Sequence, residues 1–372
     1  MKKKILFLIP NLQHGGAEKV LVNLVNNLDP SKYDITVQTL FDVGVHRDGL
    51  KPHIRYIPGL RHQFRGNSTI VKCFPATFLW KLLVKEHYDI VVSYLEGPTS
   101  RILSGCTDAG TKRIAWLHIE LGSPQIAAIG FRSPREALAA YNSFDKIIAV
   151  SKNVRECFLS QLPVTTPIQV LYNTNETEQI LELTQHTPKD PCFCPEKAVS
   201  VCSVAKLTKT KGFDRLLRVH KRLLEEGHKH HIYILGIGEE QTALERQREE
   251  LGITDSLTLL GFHKNPYQYV SRCHLYVCSS HREGFSTAVT EALIVGTPVV
   301  STNCSGAKEL LGENNEYGVV VDNSEEGIYQ GMKRMLSDPE LLAHYKKQAK
   351  LRGSFFSRTQ TVRAVEEMMD QL

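Results

Sequence analysis

The sequence predicts an α/β protein of two domains, each built around a doubly wound parallel sheet. A chain of 372 residues is longer than one ordinary hydrophobic core accommodates, which favours two domains. Short apolar runs alternate with helical stretches in both halves of the chain, and this alternation is typical of parallel sheets. Residues 173–197 break the alternation with three closely spaced prolines, so we expect a linker there between domains at 1–172 and 198–354.

The first domain begins with a short apolar run that we interpret as a buried strand. The opening KKKILFLIP resembles the start of a signal peptide, but its apolar part is only five residues long, at 5–9. No apolar run approaches the roughly 20 residues that cross a bilayer, so we expect no membrane-spanning helix. Further strands of this domain are predicted at 34–40, 89–95, 112–118 and 146–151.

The second domain repeats this pattern and gathers its unusual loops at one edge of its sheet. Its strands are predicted at 198–205, 231–238, 257–262, 275–280 and 298–302. The segments KLTKTKG, GIGE, GFHKN, HREGF and NCSG follow these strands. Ligands of Rossmann-like sheets bind at the carboxyl ends of the strands, so we expect a ligand site where these loops meet. The last residues, 355–372, are expected to form a helix.

The segment SSHREGFSTAVTEALIVGTPVVST, at 279–302, is the most informative motif of the chain. It places two carboxylates, Glu283 and Glu291, eight positions apart across the start of a predicted helix whose N-cap is Ser286. The amides of Gly284, Phe285 and Ser286 lie at that helix N-terminus, which favours bound anions. Carboxylates that accept hydrogen bonds from hydroxyls, beside amides that hold phosphate, suit a nucleotide sugar as the ligand.

This motif resembles the E-x7-E signature of the retaining GT-B glycosyltransferases of family 4, the glycosyl transferases group 1 type, including the G-x-P-V-V that follows it. The resemblance implies two domains facing a central cleft, with the final helix packed back on the first domain. It also implies that Glu283 contacts the transferred sugar and that Glu291 holds the ribose hydroxyls. The alternative interpretation is an ordinary amphipathic helix whose two glutamates are solvated.

Two further segments are expected to lie near phosphate. KLTKTKGFD places Lys206 and Lys211 after a strand, where both can converge on a diphosphate leaving group; the alternative is a pair of solvated surface lysines. The resembling enzymes carry an Arg-x5-Lys pair, so Lys206 keeps the charge of the arginine but not its bidentate fork. HGGAEKV lacks the third glycine of a dinucleotide fingerprint. It resembles the GGAE turn of these transferases, which implies that Gly16 lies near the donor phosphate, unless the turn serves only tight geometry.

The resemblance extends to the nucleoside pocket and to a histidine of the first domain. The loops containing Gly236, Gly238 and Phe262 resemble those that line the nucleoside pocket, chiefly through backbone groups. His118 ends a predicted strand, and the resemblance implies that it contacts the transferred sugar. Taken alone, a single histidine is more often a structural residue with satisfied hydrogen bonds.

The charge of the chain is divided unequally. Residues 1–172 have a net charge of +8 and the remainder a net charge of −3. Residues 51–87 contain seven basic residues and one acid, with aromatic residues between them, so we expect this stretch to contact an anionic membrane surface. Nucleic acid is the rival partner, but no recognised module for it is present. A third interpretation is that the aromatic side chains are core and the basic ones merely solvated.

The resemblance therefore implies a retaining glycosyltransferase that needs no metal and no bound cofactor, because basic side chains take the place of a metal at the leaving group in the resembling enzymes. The donor is expected to be a UDP-sugar and the acceptor a lipid-linked saccharide or glycolipid in surface polysaccharide biosynthesis. The nine cysteines have no framework spacing, which favours reduced thiols, and we expect a cytoplasmic protein peripheral on the inner face of the membrane. The alternatives are a nucleotide-sugar epimerase of the same architecture and a catalytically silent partner subunit.

Overall fold

The structure is a computed structural model that describes residues 2–13, 15–62 and 67–372. It divides into two compact units. The first unit comprises Met1–Asn175 and Thr359–Leu372, and the second comprises Glu176–Arg358. The predicted linker at 173–197 is therefore shared between the units, since residues 173–175 belong to the first and residues 176–197 to the second.

The first unit contains a parallel sheet of seven strands in the order β3-β2-β1-β4-β5-β6-β7. These strands are β1 (Lys3–Ile9), β2 (Tyr33–Thr39), β3 (Arg55–Ile57), β4 (Ile90–Ser93), β5 (Lys112–Leu117), β6 (Lys146–Ala149) and β7 (Ile168–Val170). The helices are α1 (Gly16–Asn27), α2 (Asn67–Cys73), α3 (Ala76–Leu83), α4 (Pro98–Ser104), α5 (Pro124–Ala127), α6 (Pro134–Tyr141) and α7 (Lys152–Gln161), with a short 3-10 helix at His46–Gly49.

The five strands predicted for this unit are all present, and two more lie at the edges of the sheet. The apolar run at 5–9 is fully buried in β1, between β2 and β4, which confirms its interpretation as a strand. The edge strands β3 and β7 were not predicted. Each has only three residues and none of them is fully buried, so neither produces an apolar run.

The second unit contains a parallel sheet of six strands in the order β10-β9-β8-β11-β12-β13. The strands are β8 (Val199–Val204), β9 (His230–Leu235), β10 (Leu257–Gly261), β11 (Leu275–Cys278), β12 (Val299–Thr302) and β13 (Val319–Val321). The helices are α8 (Thr177–Leu183), α9 (Phe213–Glu225), α10 (Gln241–Glu250), α11 (Tyr267–Val270), α12 (Thr287–Val295), α13 (Ala307–Leu311), α14 (Glu325–Ser337) and α15 (Pro339–Phe355), with a 3-10 helix at Lys209–Lys211.

The start of the second unit packs firmly on its body. The Asn265 side-chain amide donates to the carbonyl of Leu183 at 2.9 Å, and Arg272 donates to the carbonyl of Thr184 at 3.1 Å. Tyr269 donates a hydrogen bond to Asp190. These contacts tie Leu183, Thr184 and Asp190 to the body of the second unit, so residues 176–197 form part of a folded unit.

The last helix, α16 (Arg358–Asp370), packs on the first unit. Lys3 Nζ donates to the carbonyl of Met369 at 2.9 Å, and the Tyr33 hydroxyl donates to Asp370 at 3.0 Å. The helix begins at Arg358 because residues up to Phe355 continue α15. Among the residues that the structure describes, no helix is both long enough and apolar enough to span a membrane.

Candidate active site

An ion pair stands at the carboxyl edge of the second sheet. Lys211 lies in the 3-10 helix between β8 and α9, and Glu283 lies in the loop between β11 and α12. Lys211 Nζ is 2.7 Å from Glu283 Oε1, and Ser280 Oγ donates to the same oxygen at 2.6 Å. The side chains are 25% and 13% exposed, so the pair is reachable but largely shielded from water. Burial of this kind strengthens the interaction of both charges with a ligand.

The charge of Lys211 is maintained by its partner. Burial alone would lower the pKa of this ammonium, but the Glu283 carboxylate more than offsets that effect and raises the pKa above its usual value. Lys211 therefore stays protonated at neutral pH. An ammonium has three N–H donors, and one bond to Glu283 leaves donors for a second anion.

A buried arginine holds the loop that carries Glu283. Arg215 of α9 is 4% exposed, and its guanidinium donates twice to the carbonyl of Ser279, at 3.0 and 2.6 Å. Ser279 Oγ in turn donates to the carbonyl of Lys211 at 2.9 Å. Gly212 has a φ of +63°, and a Cβ there would lie 2.3 Å from the Ser279 carbonyl oxygen, so glycine is required for the two loops to meet.

The helix after Glu283 begins as the sequence predicts. Ser286 is the N-cap of α12, and its hydroxyl accepts from the amide of Val289. Glu291 is only 8% exposed, and its Oε1 accepts a hydrogen bond from the Tyr267 hydroxyl at 3.0 Å. Neither glutamate of the motif is solvated, so the alternative of an ordinary surface helix is wrong.

The remaining predicted residues of the second unit lie in neighbouring loops. Gly236 and Gly238 follow β9, and the carbonyl of Ile237 between them accepts from the amide of Leu207 at 3.0 Å. Phe262 follows β10, and its side chain is 53% exposed. Lys206 is exposed after β8 and forms no ion pair with any residue in the described ranges. The structure thus brings Lys211 together with Glu283, whereas Lys206 shares only their edge of the sheet.

The predicted residues of the first unit lie at the corresponding edge of its own sheet. Gly16 is the first residue of α1, directly after β1 and its loop, while His14 falls outside the described residues. His118 follows β5 and is buried, with its ring centroid 4.7 Å from that of Tyr94. Its Nε2 has no hydrogen-bond partner among the described residues, and burial lowers its pKa to about 3. His118 is therefore a neutral imidazole at any physiological pH.

A buried carboxylate that the sequence analysis missed lies beside His118. Glu96 follows β4, is 8% exposed, and accepts a hydrogen bond from the backbone amide of His118 at 2.9 Å. Burial raises its pKa to about 7, although backbone amides partly offset that effect.

Other residues of the site also escaped sequence reasoning. Arg215 lies on an amphipathic helix, where an arginine normally indicates a solvated face, and Tyr267 is separated from the motif by an intervening strand. Ser280 lies inside the motif, but nothing in a serine at that position indicates a contact with Glu283. For Glu96 the only signal was an acid followed by Gly97 and Pro98 after an apolar strand.

The basic and aromatic stretch of the first unit divides into a core part and a surface part. Trp80 is 2% exposed and donates to Asp108, so core packing is the correct account of this residue. Phe74 and Phe78 stack on each other with centroids 5.5 Å apart and are 42% and 49% exposed. Leu82, one turn after Phe78, is 51% exposed. Arg65 and Phe64 of the same stretch lie outside the described residues.

Comparison with known families assigns the chain to a class. Residues 192–352 match the family described as glycosyl transferases group 1, and residues 14–179 match glycosyltransferase family 4. The chain therefore belongs to the family 4 glycosyltransferases of the group 1 type, as its motifs predict. Within 2–13, 15–62 and 67–372, no group of three or more His, Cys, Asp or Glu side chains is arranged to hold a metal ion.

Solved structures and characterised relatives agree with this assignment. The crystal structure of Anabaena Alr3699/HepE in complex with UDP and glucose superposes with a TM-score of 0.79, at 19% identity over 100% of both chains, which shows a GT-B fold. An N-acetylgalactosamine-N,N'-diacetylbacillosaminyl-diphospho-undecaprenol 4-alpha-N-acetylgalactosaminyltransferase of Campylobacter jejuni is 32% identical over 60% of this chain and 59% of its own length. The lipopolysaccharide core biosynthesis glycosyltransferase LpsD of Rhizobium meliloti is 25% identical over 88% of this chain and 86% of its own.

Proposed function

We propose that the chain is a retaining glycosyltransferase that transfers a sugar from a UDP-sugar to a lipid-linked saccharide or glycolipid in surface polysaccharide biosynthesis. The observation that carries this proposal is the pair formed by Lys211 and Glu283 in front of the N-terminus of α12. It offers an ammonium and helix amides to a diphosphate, and a carboxylate to sugar hydroxyls, within one shielded site.

Departure of the diphosphate is the step that this site is built to assist. As the bond between the sugar and the diphosphate breaks, negative charge grows on the phosphate oxygens. Lys211 and the first amides of α12 are fixed in position and stabilise that charge without rearranging. Lys206 adds a second positive charge from the neighbouring loop. With lysines in this role, the reaction requires no divalent metal.

The sugar and the ribose are assigned to different carboxylates. Glu283 positions the transferred sugar, as does the neutral imidazole of His118. Glu291 accepts hydrogen bonds from the ribose hydroxyls. The departing phosphate takes the acceptor proton on the same face of the sugar, so the configuration at the anomeric carbon is retained and no separate general base is needed.

The acceptor follows from the relatives and from the surface of the first unit. The Campylobacter jejuni relative is named for a transfer to a saccharide on diphospho-undecaprenol, and the Rhizobium meliloti relative for lipopolysaccharide core biosynthesis. A lipid-linked acceptor lies at a membrane, and the exposed Phe74, Phe78 and Leu82 provide an apolar surface beside basic residues. We assign the chain to the inner face of the cytoplasmic membrane on these grounds.

The experiment that tests this function is incubation of the pure protein with a panel of radiolabelled UDP- and GDP-sugars. A glycosyltransferase without its acceptor should slowly hydrolyse its own donor. Isomerised sugar would instead support the epimerase, and neither product would support the silent subunit. The same assay with EDTA tests the role of the lysines, since loss of activity that manganese restores would contradict a metal-independent mechanism.

A variant of Lys209 is the matched control for a variant of Lys211 in this assay. Lys209 lies in the same 3-10 helix, is exposed, and forms no ion pair with any described residue. Lys211→Ala should lower donor hydrolysis by about 100- to 1,000-fold, whereas Lys209→Ala should not. Equal activity in the two variants would contradict the assignment of Lys211 to the leaving group.

A further inference from the structure

Two neighbouring strands of the first sheet end side by side, and a carboxylate on one loop is bonded to the backbone of the other. β4 and β5 are paired in parallel, with Ser93 opposite Ala115. Glu96 follows β4 and His118 follows β5. The Oε2 atom of Glu96 accepts from the His118 amide at 2.9 Å, and the Ile119 amide donates to the same carboxyl group. The carboxyl group therefore caps the end of β5.

This carboxylate is held at an energetic cost. Glu96 is 8% exposed and forms no ion pair with any residue in the described ranges, so only dipoles compensate for its lost hydration. Gly97, directly after Glu96, fixes the direction of the chain there. Its φ is +103°, a value that a residue with a Cβ rarely adopts. A buried acid without a cation, at the ligand edge of a sheet, indicates a role beyond packing.

The side chain of His118, whose backbone amide Glu96 binds, has a nitrogen atom without a hydrogen-bond partner among the described residues. The His118 ring packs against Tyr94, and its Nε2 is buried without a hydrogen-bond partner in the part of the chain that the structure describes. An imidazole nitrogen left unpaired in this way is available to a hydroxyl of a ligand, provided that the ring is kept in place. The ring extends from the same residue whose amide Glu96 binds.

We infer that Glu96 is a positioning residue, which fixes His118 for contact with the transferred sugar by capping the backbone amides at the end of β5. The inference rests on the proposed function, because it takes the contact between His118 and the sugar from it. Glu96 itself need not touch the sugar. Its oxygen accepts from the backbone, and its effect reaches the reaction only through the placement of the imidazole.

Kinetics of donor hydrolysis in five variants test this inference, with the UDP-sugar that the wild type hydrolyses fastest as the probe. Misplacing a positioning group by about 1 Å costs about 100-fold in turnover, so we expect Glu96→Ala to lower kcat by about 10- to 100-fold. The KM for the donor should stay within about twofold, because Lys211, Glu283 and Glu291 are unchanged. Glu96→Gln keeps an acceptor oxygen for the amides and should retain most of the activity. Glu156→Ala, on the exposed surface of α7, is the matched control for removal of a carboxylate from this unit.

The double variant shows whether Glu96 acts through His118. If it does, Glu96→Ala combined with His118→Ala should be no slower than His118→Ala alone, since the misplaced group is already absent. If the factors by which the two single substitutions lower kcat instead multiply in the double variant, Glu96 acts independently of His118, which would overturn the inference. A Glu96→Gln variant as slow as Glu96→Ala would also overturn it, because a proton-transfer role would then explain the carboxyl group better.

Hydrogen exchange provides a measurement that needs no enzymatic activity. In Glu96→Ala the amides of His118 and Ile119 lose their acceptor, so a peptide spanning them should exchange faster than in the wild type. Glu96→Gln should protect these amides nearly as well as glutamate. Unchanged exchange in Glu96→Ala would overturn the inference. If no donor is hydrolysed by the wild type, the proposed function fails, while faster exchange would still support the capping of β5 by Glu96.

Discussion

Glu283 and Glu96 are both largely buried carboxylates at the carboxyl edge of a parallel sheet, yet their surroundings differ. Glu283 has the Lys211 ammonium at 2.7 Å and the Ser280 hydroxyl at 2.6 Å. Glu96 has only backbone amides, and burial raises its pKa to about 7. Without a neighbouring cation, burial disfavours the charged form of Glu96. The second unit presents an ammonium paired with a carboxyl group to a ligand, whereas the first presents a neutral imidazole beside a carboxyl group whose pKa is raised.

The largest change should come from removing the cation that distinguishes these two carboxylates. Lys211→Ala leaves Glu283 shielded and without its ammonium, as Glu96 is, and removes a donor from the leaving group. We expect donor turnover to fall by about 100- to 1,000-fold, as on loss of one fixed donor to a developing charge. Turnover of Lys211→Ala within threefold of Lys209→Ala would contradict the comparison.

The next largest effect should be on the pH dependence of the stability of the first unit. The pKa of Glu96 is raised from 4.5 to about 7 in the folded state, so its contribution to the free energy of unfolding is fully present below pH 4.5 and is lost as the pH rises through 7. A shift of this size corresponds to about 3 kcal/mol. Glu96→Gln removes this contribution of Glu96 to the free energy of unfolding. The difference in that free energy between wild type and variant should therefore change by about 3 kcal/mol between pH 4.5 and pH 8.

Fluorescence isolates this effect to one unit. The chain has two tryptophans, Trp80 and Trp116, and both belong to the first unit. Urea unfolding followed by tryptophan emission therefore reports on the unit that contains Glu96. His118 changes protonation on unfolding in both proteins, so its contribution to the pH dependence cancels in the difference between them. A difference that does not vary with pH would mean that Glu96 keeps an ordinary pKa.

A smaller effect should separate the two glutamates of the motif within the second unit. If Glu291 holds the ribose, Glu291→Gln replaces a charged acceptor by a neutral one and should weaken UDP binding by about tenfold. If Glu283 positions the sugar, Glu283→Gln should lower turnover more than UDP affinity. Calorimetric titration with UDP measures both, and wild-type affinity in Glu291→Gln would contradict the ribose assignment.

The smallest effect concerns the surface of the first unit. At low salt the protein should bind anionic liposomes and should dissociate as the Debye length shrinks to about 8 Å. Replacing Arg61, Arg65, Lys81 and Lys85 together should weaken this binding several-fold and leave UDP affinity intact, since Lys211, Glu283 and Glu291 are untouched. If the wild type and this variant sediment equally with anionic liposomes, these residues are not the membrane contact.

The elements and residues that could be predicted are those whose structure is determined by their neighbours in the sequence. β1 was predictable because five consecutive apolar residues indicate a buried strand, and α12 because Ser286 and Gly296 are strong end signals. Arg215 was not predictable, because its partner, the Ser279 carbonyl, lies 64 positions away in the chain. Glu96 was missed for the same reason, since its partner, the His118 amide, lies 22 positions away in the chain. Local signals thus defined the fold and the motif, while the contacts that position them depend on the tertiary structure.

The return of α16 to the first unit determines the order in which the two units can be completed during synthesis. The second unit is one continuous segment, Glu176–Arg358, so all of its contacts are available once that segment has emerged from the ribosome. The first unit must wait for Met368 and Met369, which are buried against it, and for the bond from Tyr33 to Asp370. Residues that leave the ribosome first therefore reach their final packing last. A chain truncated directly after Arg358 would contain every residue of the second unit but would lack residues 359–372 of the first.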